Sequence, residues 1–523
     1  MTDNISISNS SLAEFIETSL EKHSDLPAYS CLGQTLTFAE IEQKSRILAA
    51  WFQHESGLKA GDRVIIQLPN LSQYPIAAYA ILRAGMVIVN TNPLYTTREM
   101  LHQFNDSGAK AIIILSDLVP KLDDIIADTK IEQVIVTSAT DLLTNDLSFQ
   151  HEQYFGFNQI LKYCAALPLQ TRKPISADDV CVLQYTGGTT GVSKGACLTH
   201  KSILSAAMQV LHCLDNHISP ETEVLACPLP LYHIFAFEVN MITFFGQGNL
   251  NVLIPNPRDL DAFVDSISSC NITIMSGLNT LFVSLCQHEK FKTLDFSSLK
   301  LTMSGGSTLT SATVDIWDKT TGCTITEGYG LSESSGIVCI NEPGNEHLGT
   351  VGQPVLGTDL QLWDENSNQV EEGKSGEIVV RGPQMLTGYW NMPEETEKAI
   401  SSEGFFKTGD VGIRLADGCI KIVDRLKDMI IVSGFNVFPN EIEEVLTSHE
   451  NILEAAVIGE ADEKTGERVC AYITISASVD IDEITLFCRE NLTAYKIPKK
   501  IIIKDDLPKS AVGKILRKDL RTK

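Results

Sequence analysis

The stretch YTGGTTGVSKG, residues 185–195, holds four glycines, four Thr or Ser hydroxyls and one lysine. Glycines allow positive φ and close approach of the backbone to a ligand. Backbone N–H groups and hydroxyls in such a loop cradle phosphate oxygens. It is not a Walker A sequence, because Lys194 stands between Ser193 and Gly195 where that motif needs Gly-Lys-Ser/Thr. The run VCVLQYT just before it reads as a strand. A Gly/Thr turn after a strand is also an ordinary surface loop, so the rest of the chain must decide.

Outward from the loop, short apolar runs alternate with helical patterns on both sides. Upstream lie RVIIQL, a helix from about Leu71 to Arg83, MVIVN, AIIILS and EQVIVTS. Downstream come a helix at 200–214, EVLACPL, a helix around 235–245, NLNVLI, a helix at 259–269 and ITIMSG. This rhythm is that of α/β units with parallel sheets. At the start, SLAEFIETSLEKH carries a capping box from Ser11 to Glu14, with Leu12, Phe15, Ile16 and Leu20 on one face. From about 347 to 424 the chain is strand-rich, broken by the turn signals DENSN, EEGKSG and LADGC. From Met429 a small α+β unit follows: IIVSGFNVFP, the helix NEIEEVLTSHE, EAAVIG, the alternating strand CAYITI, a helix near 481–492 and KIIIK. The expected class is α/β, with two α/β subdomains and a β-rich subdomain in residues 1–424, and a small C-terminal α+β domain in 429–523.

Composition excludes several classes. A net charge of −25 disfavours nucleic acid as a partner. Thirteen cysteines are scattered with no CxxC pair, against a zinc site or disulfide framework and in keeping with a reducing cytoplasm. The first residues, MTDNISISNSS, have no basic residue or apolar run, so no secretory signal is expected. IFAFEVNMITFFGQGNLNVLI is interrupted by Glu238, Asn240 and Gln247 and reads as buried helix and strand rather than a membrane span. Residues 496–523 carry ten Lys/Arg against three Asp/Glu, a net +7 in an otherwise acidic chain. Such a tail is either a solvated surface, preferred for most of its lysines, or a lid over a polyanion.

Further motifs shift the weight. LPLYHIFAFE sets His233 among apolar neighbours, TEGYGLSES follows a strand-like run, FFKTGD carries Asp410, and LPKSAVGKILRKDL carries Lys514. Each has a bland reading: a core histidine, two turns, a solvated lysine. In this order they resemble the AMP-forming adenylating enzymes, the superfamily of acyl-CoA synthetases, amino-acid adenylation domains and beetle luciferases. The resemblance covers nearly the whole chain. It is strongest toward bacterial long-chain fatty acid–CoA ligases, on QYTGGTTGVSKGACLTH, LPLYHIFAFEVN, NPRDL, GLNTLF, LDFSSL, DMIIVSGFNVFPNEIE and LPKSAVGKILR.

What the resemblance implies is an ATP-dependent ligation through an acyl-adenylate. Thr186, Gly188, Thr189, Thr190 and Lys194 would hold the β- and γ-phosphates of ATP, with Gly187 and Gly191 completing the loop. Gly305, Gly306 and Ser307, with Glu327, Gly328, Tyr329 and Gly330, would form the adenine pocket. Ser332 would touch the α-phosphate, Glu333 would bind Mg²⁺, and Asp410 and Arg425 would take the ribose hydroxyls. Lys514 would bridge carboxylate and α-phosphate, and His233 would orient the acyl carboxylate. Residues 425–428, with Lys427 at their centre, would be a hinge on which the small domain turns. The turned arrangement would present Ser433, Gly434 and Phe435 to the pantetheine arm of CoA. Ser193, Ser307 and Ser332 stand where the family often has Pro, Ala and Thr; Ser332 keeps the hydroxyl.

Near His233 the neighbours are Ile234, Phe235, Ala236 and Phe237, with no Asp to pair a substrate ammonium. A medium- to long-chain fatty acid is the preferred substrate. The alternatives are an aryl or short-chain acid, or an acyl-AMP ligase feeding a carrier protein. A peripheral place at the cytoplasmic membrane face is expected from the substrate. Homodimers are common in the family, though no sequence feature demonstrates one.

Overall fold

The computed structural model describes residues 11–186, 193–510 and 513–521. Among the described residues the chain forms four sheets. The first has seven strands in the order Phe155–Gly156, Gln133–Thr137, Ala111–Leu115, Arg63–Gln67, Val87–Asn90, Val180–Thr186, Lys194–Thr199. All its pairs are parallel except the last, where Val180–Thr186 turns back antiparallel onto Lys194–Thr199. The strands are buried Val/Ile runs, as helix-covered parallel strands are.

The second sheet has nine strands, and its centre is parallel: Leu250–Leu253, Val224–Cys227, Ile274–Gly277, Leu301–Ser304 and Ile325–Tyr329. The N-terminal hairpin Pro27–Cys31/Gln34–Thr37 joins this sheet beside Leu250–Leu253, far from its neighbours in sequence. The helix Leu12–Lys22 is capped by Ser11 Oγ, which accepts from Glu14 N at 3.2 Å, and Leu12, Ile16 and Leu20 are buried.

The helix expected around 235–245 is two elements, an α-helix at Ile234–Glu238 and a π-helix at Val239–Phe244. The wider turn accommodates buried polar groups: Thr243 donates to Glu238, and Asn240 donates to Asn251 Oδ1 at 2.9 Å.

The strand-rich stretch is an antiparallel sheet of Asp359–Trp363, Ser375–Arg381, Phe406–Arg414 and Ile420–Arg425. The fourth sheet, of five strands, begins at Ile430 and is built on the long pair Ile452–Asp462/Gly466–Ile475. The strand read as alternating is buried from Val469 to Thr474 on both faces. Helices Pro439–Thr447 and Ile481–Asn491 cover one face, and Leu507 and Leu520 of the tail cover Cys470 and Tyr472 on the other. The tail's cations divide. Lys496, Lys509 and Arg517 pair with Glu441, Glu454 and Asp424, whereas Lys499, Lys504 and Lys518 are exposed. No helix among the described residues is long and apolar enough to cross a membrane.

Candidate active site

Loops at the carboxyl ends of neighbouring parallel strands converge on one cleft, where open α/β sheets carry their ligands. Gly305, Gly306 and Ser307 follow Leu301–Ser304 directly, and Glu327–Tyr329 end the adjacent strand, with Ser304 opposite Glu327. His233 lies in the loop after Val224–Cys227. The first sheet contributes Thr186 and Lys194, which face each other as the last pair of their hairpin. They form the base of the glycine loop; Gly187, Gly188, Thr189, Thr190 and Gly191 lie outside the described residues. His102 Nε2 lies 3.1 Å from Ser193 O, next to Lys194.

The segment TEGYGLSES is held very close to the chain that follows it. A Cβ at Gly330 would lie 2.0 Å from Gly336 O, so no side chain fits there. The short turn Ser332–Ser334 packs on the glycine-loop hairpin. Glu333 is anchored twice: its carbonyl accepts from Leu386 N at 2.7 Å, and its carboxylate from Tyr389 Oη at 2.8 Å. Burial pushes its acid strength down, and Tyr389 opposes this by bonding the anion.

Asp410 and Arg425 are cross-strand partners, with Arg425 Nε 3.0 Å from Asp410 Oδ1. Tyr329 donates to the other oxygen at 2.6 Å. Each carboxylate oxygen retains a lone pair for a further donor. Glu327 lines a cavity of about 110 Å³ with Asn341, Glu346, Thr350 and Glu444 of the small C-terminal unit, and burial raises its pKa to about 8.

The C-terminal unit reaches into the same cleft. Thr280 donates to Gly513 O at 3.0 Å and Arg258 to Ser510 O at 3.3 Å, fixing the loop that carries Lys514. Burial and then Arg425 lower the Lys514 ammonium to about 8, while Asp410 acts in the opposite direction. Lys514 also helps hold His233 neutral, its pKa lowered to about 4 mainly by burial. His233 caps the helix after it, Nδ1 accepting from Phe235 N at 3.4 Å, which leaves the proton on Nε2. Ser433 and Gly434 form a two-residue hairpin turn, both at positive φ (52° and 82°), with Phe435 exposed beside it.

The cleft thus brings together Thr186, Lys194, His233, the 305–307 loop, Glu333, Asp410, Arg425 and Lys514, drawn from three sheets and the C-terminal unit. The chain matches the model of the AMP-binding enzyme family over residues 16–390, and that of the AMP-binding enzyme C-terminal domain over 441–514. The protein belongs to the AMP-binding enzyme family. A long-chain-fatty-acid–CoA ligase of Yersinia pestis is 43% identical over 98% of this chain and 94% of its own. One from Salmonella typhimurium is 41% identical with the same coverage. Among solved structures, the anthranilate CoA ligase AuaEII in complex with anthranoyl-AMP superposes with a TM-score of 0.90 at 26% identity, over 98% of this chain and 96% of that one.

Three residues of the cleft escape sequence reading: Tyr389, Glu395 and Arg517. The segment Thr387–Trp390 lies along Lys194–Thr199 like an added strand, with Trp390 N bonded to Gly195 O and Cys197 N to Gly388 O. The only local sign was the aromatic pair in GYW. Arg517 joins Asp424 and Asp428 to Glu443. Its distant partners leave no pattern near it.

Proposed function

We propose that this enzyme joins medium- to long-chain fatty acids to coenzyme A in two steps. A carboxylate oxygen attacks the α-phosphorus of ATP, the bond to the bridging oxygen breaks, and pyrophosphate leaves an acyl-adenylate. The thiol of CoA then attacks the acyl carbon; AMP departs and the thiol proton is released. The similarity at 41–43% identity to long-chain-fatty-acid–CoA ligases over nearly the whole chain carries this reading. The apolar surroundings of His233 support it.

In the first step Lys194 and Thr186 hold the distal phosphates, and of the Asp410–Arg425 pair Asp410 accepts from the ribose hydroxyls through its spare lone pairs while Arg425 donates. The Tyr329 ring stacks on adenine within the pocket of Gly305, Gly306, Ser307, Glu327 and Gly328. Ser332 meets the α-phosphate. Lys514 neutralises charge as it grows between carboxylate and phosphate, and neutral His233 offers Nε2–H to the carboxylate. A hard divalent cation suits Glu333, whose buried carboxylate is kept available by Tyr389; Mg²⁺ bound there would neutralise phosphate charge. In the second step the small unit, residues 429–523, turns about 425–428 with Lys427 at the hinge, and Ser433, Gly434 and Phe435 line the thiol path. The reaction belongs in the cytoplasm, with its apolar substrate drawn from the membrane face.

An aryl acid is the second reading, favoured by the fold likeness to an anthranilate CoA ligase but at only 26% identity. Pyrophosphate release with and without CoA, across acids of two to eighteen carbons and benzoate, separates the two. Each buried CH₂ contributes up to about 0.8 kcal/mol, roughly fourfold in affinity. kcat/KM should therefore climb with length and flatten at about 12 to 16 carbons. A maximum at two to four carbons, or at benzoate, rejects the fatty-acid reading and leaves adenylation standing.

A further inference from the structure

Lys194 is already engaged. Its ammonium pairs with Glu395 on the helix Pro393–Ala399, and it lies 5.2 Å over the ring of Tyr389. The other oxygen of Glu395 pairs with Lys398 at 2.7 Å. Together the two lysines hold the Glu395 carboxyl well into the acid range, at about 2. Two cations therefore share one carboxylate, and one of them is the lysine at the base of the glycine loop. Thr387–Trp390 leads directly into this helix, and the backbone N–H of Tyr389 donates to Thr396 Oγ1 at 2.9 Å. The backbone that fixes Tyr389 under Lys194 thus also fixes Glu395 beside it.

We propose that Glu395 competes with the polyphosphate for Lys194: it holds Lys194 until ATP arrives, and the distal phosphates must take the ammonium from it. This rests on the reading that Lys194 faces the β- and γ-phosphates. Lys398 makes the exchange feasible, because it keeps Glu395 paired when Lys194 leaves. The Tyr389 ring gives the ammonium a second contact that does not depend on either anion. Glu395 thereby sets how tightly ATP is held, and favours release of pyrophosphate once the bond to AMP is broken. Its effect is selective: a nucleotide without distal phosphates has no claim on Lys194 and gains nothing from the loss of Glu395.

The pair is about one-third exposed, with Lys194 at 32% and Glu395 at 36%, so the competition is modest. Calorimetric titration of the full chain with MgATP and with AMP, without acid or CoA, tests it. Glu395→Gln should bind MgATP about two- to fivefold more tightly, as expected for a partly exposed ion pair, and AMP as before. Lys194→Met should weaken MgATP, and adding Glu395→Gln to it should bring no gain. A purely structural role for Glu395 would weaken binding, the opposite sign. Weaker or unchanged MgATP affinity in Glu395→Gln, with Lys194→Met still damaging, overturns the competition alone. Unaltered MgATP affinity in Lys194→Met overturns the reading of Lys194, and the competition with it.

Discussion

The hydroxyl of Tyr389 donates to Glu333 at 2.8 Å while its ring lies 5.2 Å beneath the Lys194 ammonium. One phenol thus touches both groups proposed to serve the ATP phosphates, the Lys194 ammonium directly and the proposed metal ligand Glu333 through its carboxylate. Two substitutions separate these duties. Glu333→Gln removes the charge proposed to hold the metal, and Tyr389→Phe removes only the bond that orients it. Losing such a supporting bond costs roughly ten- to a hundredfold in metal affinity. The Mg²⁺ concentration for half-maximal adenylation should rise by that factor in Tyr389→Phe and by more in Glu333→Gln. An unaltered Mg²⁺ dependence in both rejects the metal assignment.

Lys514 should give the first half-reaction an alkaline limit. Burial, followed by Arg425, lowers its pKa to about 8, so it is charged below that pH and neutral above it. In its proposed role Lys514 serves the acyl-adenylate step as a cation. Its rate should therefore fall above pH 8, approaching tenfold per unit, while thioester formation from supplied acyl-AMP shows no such limb from this group. Lys514→Ala should lose roughly 10²–10³-fold in adenylation, the typical cost of one preorganised contact, and largely spare the second half-reaction. Equal losses in both steps would show that Lys514 does not serve one arrangement of the small unit alone.

Sequence reading reached what is local or motif-borne. The helix His200–Leu214 was legible to the residue because Thr199 caps it and its apolar spacing is regular. The strand-rich stretch was legible from its turns, where Asp364 Oδ1 accepts from Asn366 N and Asn368 N. What needed tertiary contact was not. A π-helix at 239–244 has the same apolar run as an α-helix, and only the buried Glu238, Asn240 and Thr243 distinguish it. CAYITI, 470–475, reads as an alternating strand, yet it is buried through to Thr474, because Leu507 and Leu520 of the tail return to cover Cys470 and Tyr472. The strand partner of Pro27–Cys31 lies beyond residue 250 and carries no local mark. In the cleft, the described residues of the recognised motifs come together, whereas Tyr389, Glu395 and Arg517 join them only through tertiary contacts that leave no local pattern.

Arg517 is expected to be the most damaging surface-near substitution in the small unit. Its guanidinium lies 3.0 Å from Asp424, which is 1% exposed, and 2.6 Å from Glu443. Asn440 also accepts from it, and Asn440 N in turn donates to the other oxygen of Asp424 at 2.8 Å. Arg517→Met leaves two half-paired carboxylates in a confined space, a loss of about 3–5 kcal/mol where such a pair is buried. The folding transition of the small unit should move down accordingly in urea, and cleavage by a protease between 424 and 430 should speed up. An unchanged urea midpoint would mean that the pairs are solvated in the working enzyme.

Gly434 combines a positive φ of 82° with open space: nothing lies within 4 Å of where its Cβ would stand. Ser433 before it also has a positive φ, 52°, so the pair forms the two-residue turn that strand twist favours. The cost of a side chain here is therefore conformational, roughly 1–2 kcal/mol, and it is not a clash within the free protein. Gly434→Ala and Gly434→Leu should be destabilised alike by this small amount. They should differ in chemistry, because only the longer side chain projects far into the path assigned to the thiol arm. Acyl-AMP should form in both; in Gly434→Leu it should accumulate while acyl-CoA output collapses, and in Gly434→Ala output should fall less. Matching acyl-CoA rates for Ala and Leu would trace the effect to turn strain, and normal rates in Gly434→Leu would remove the hairpin tip from the CoA site.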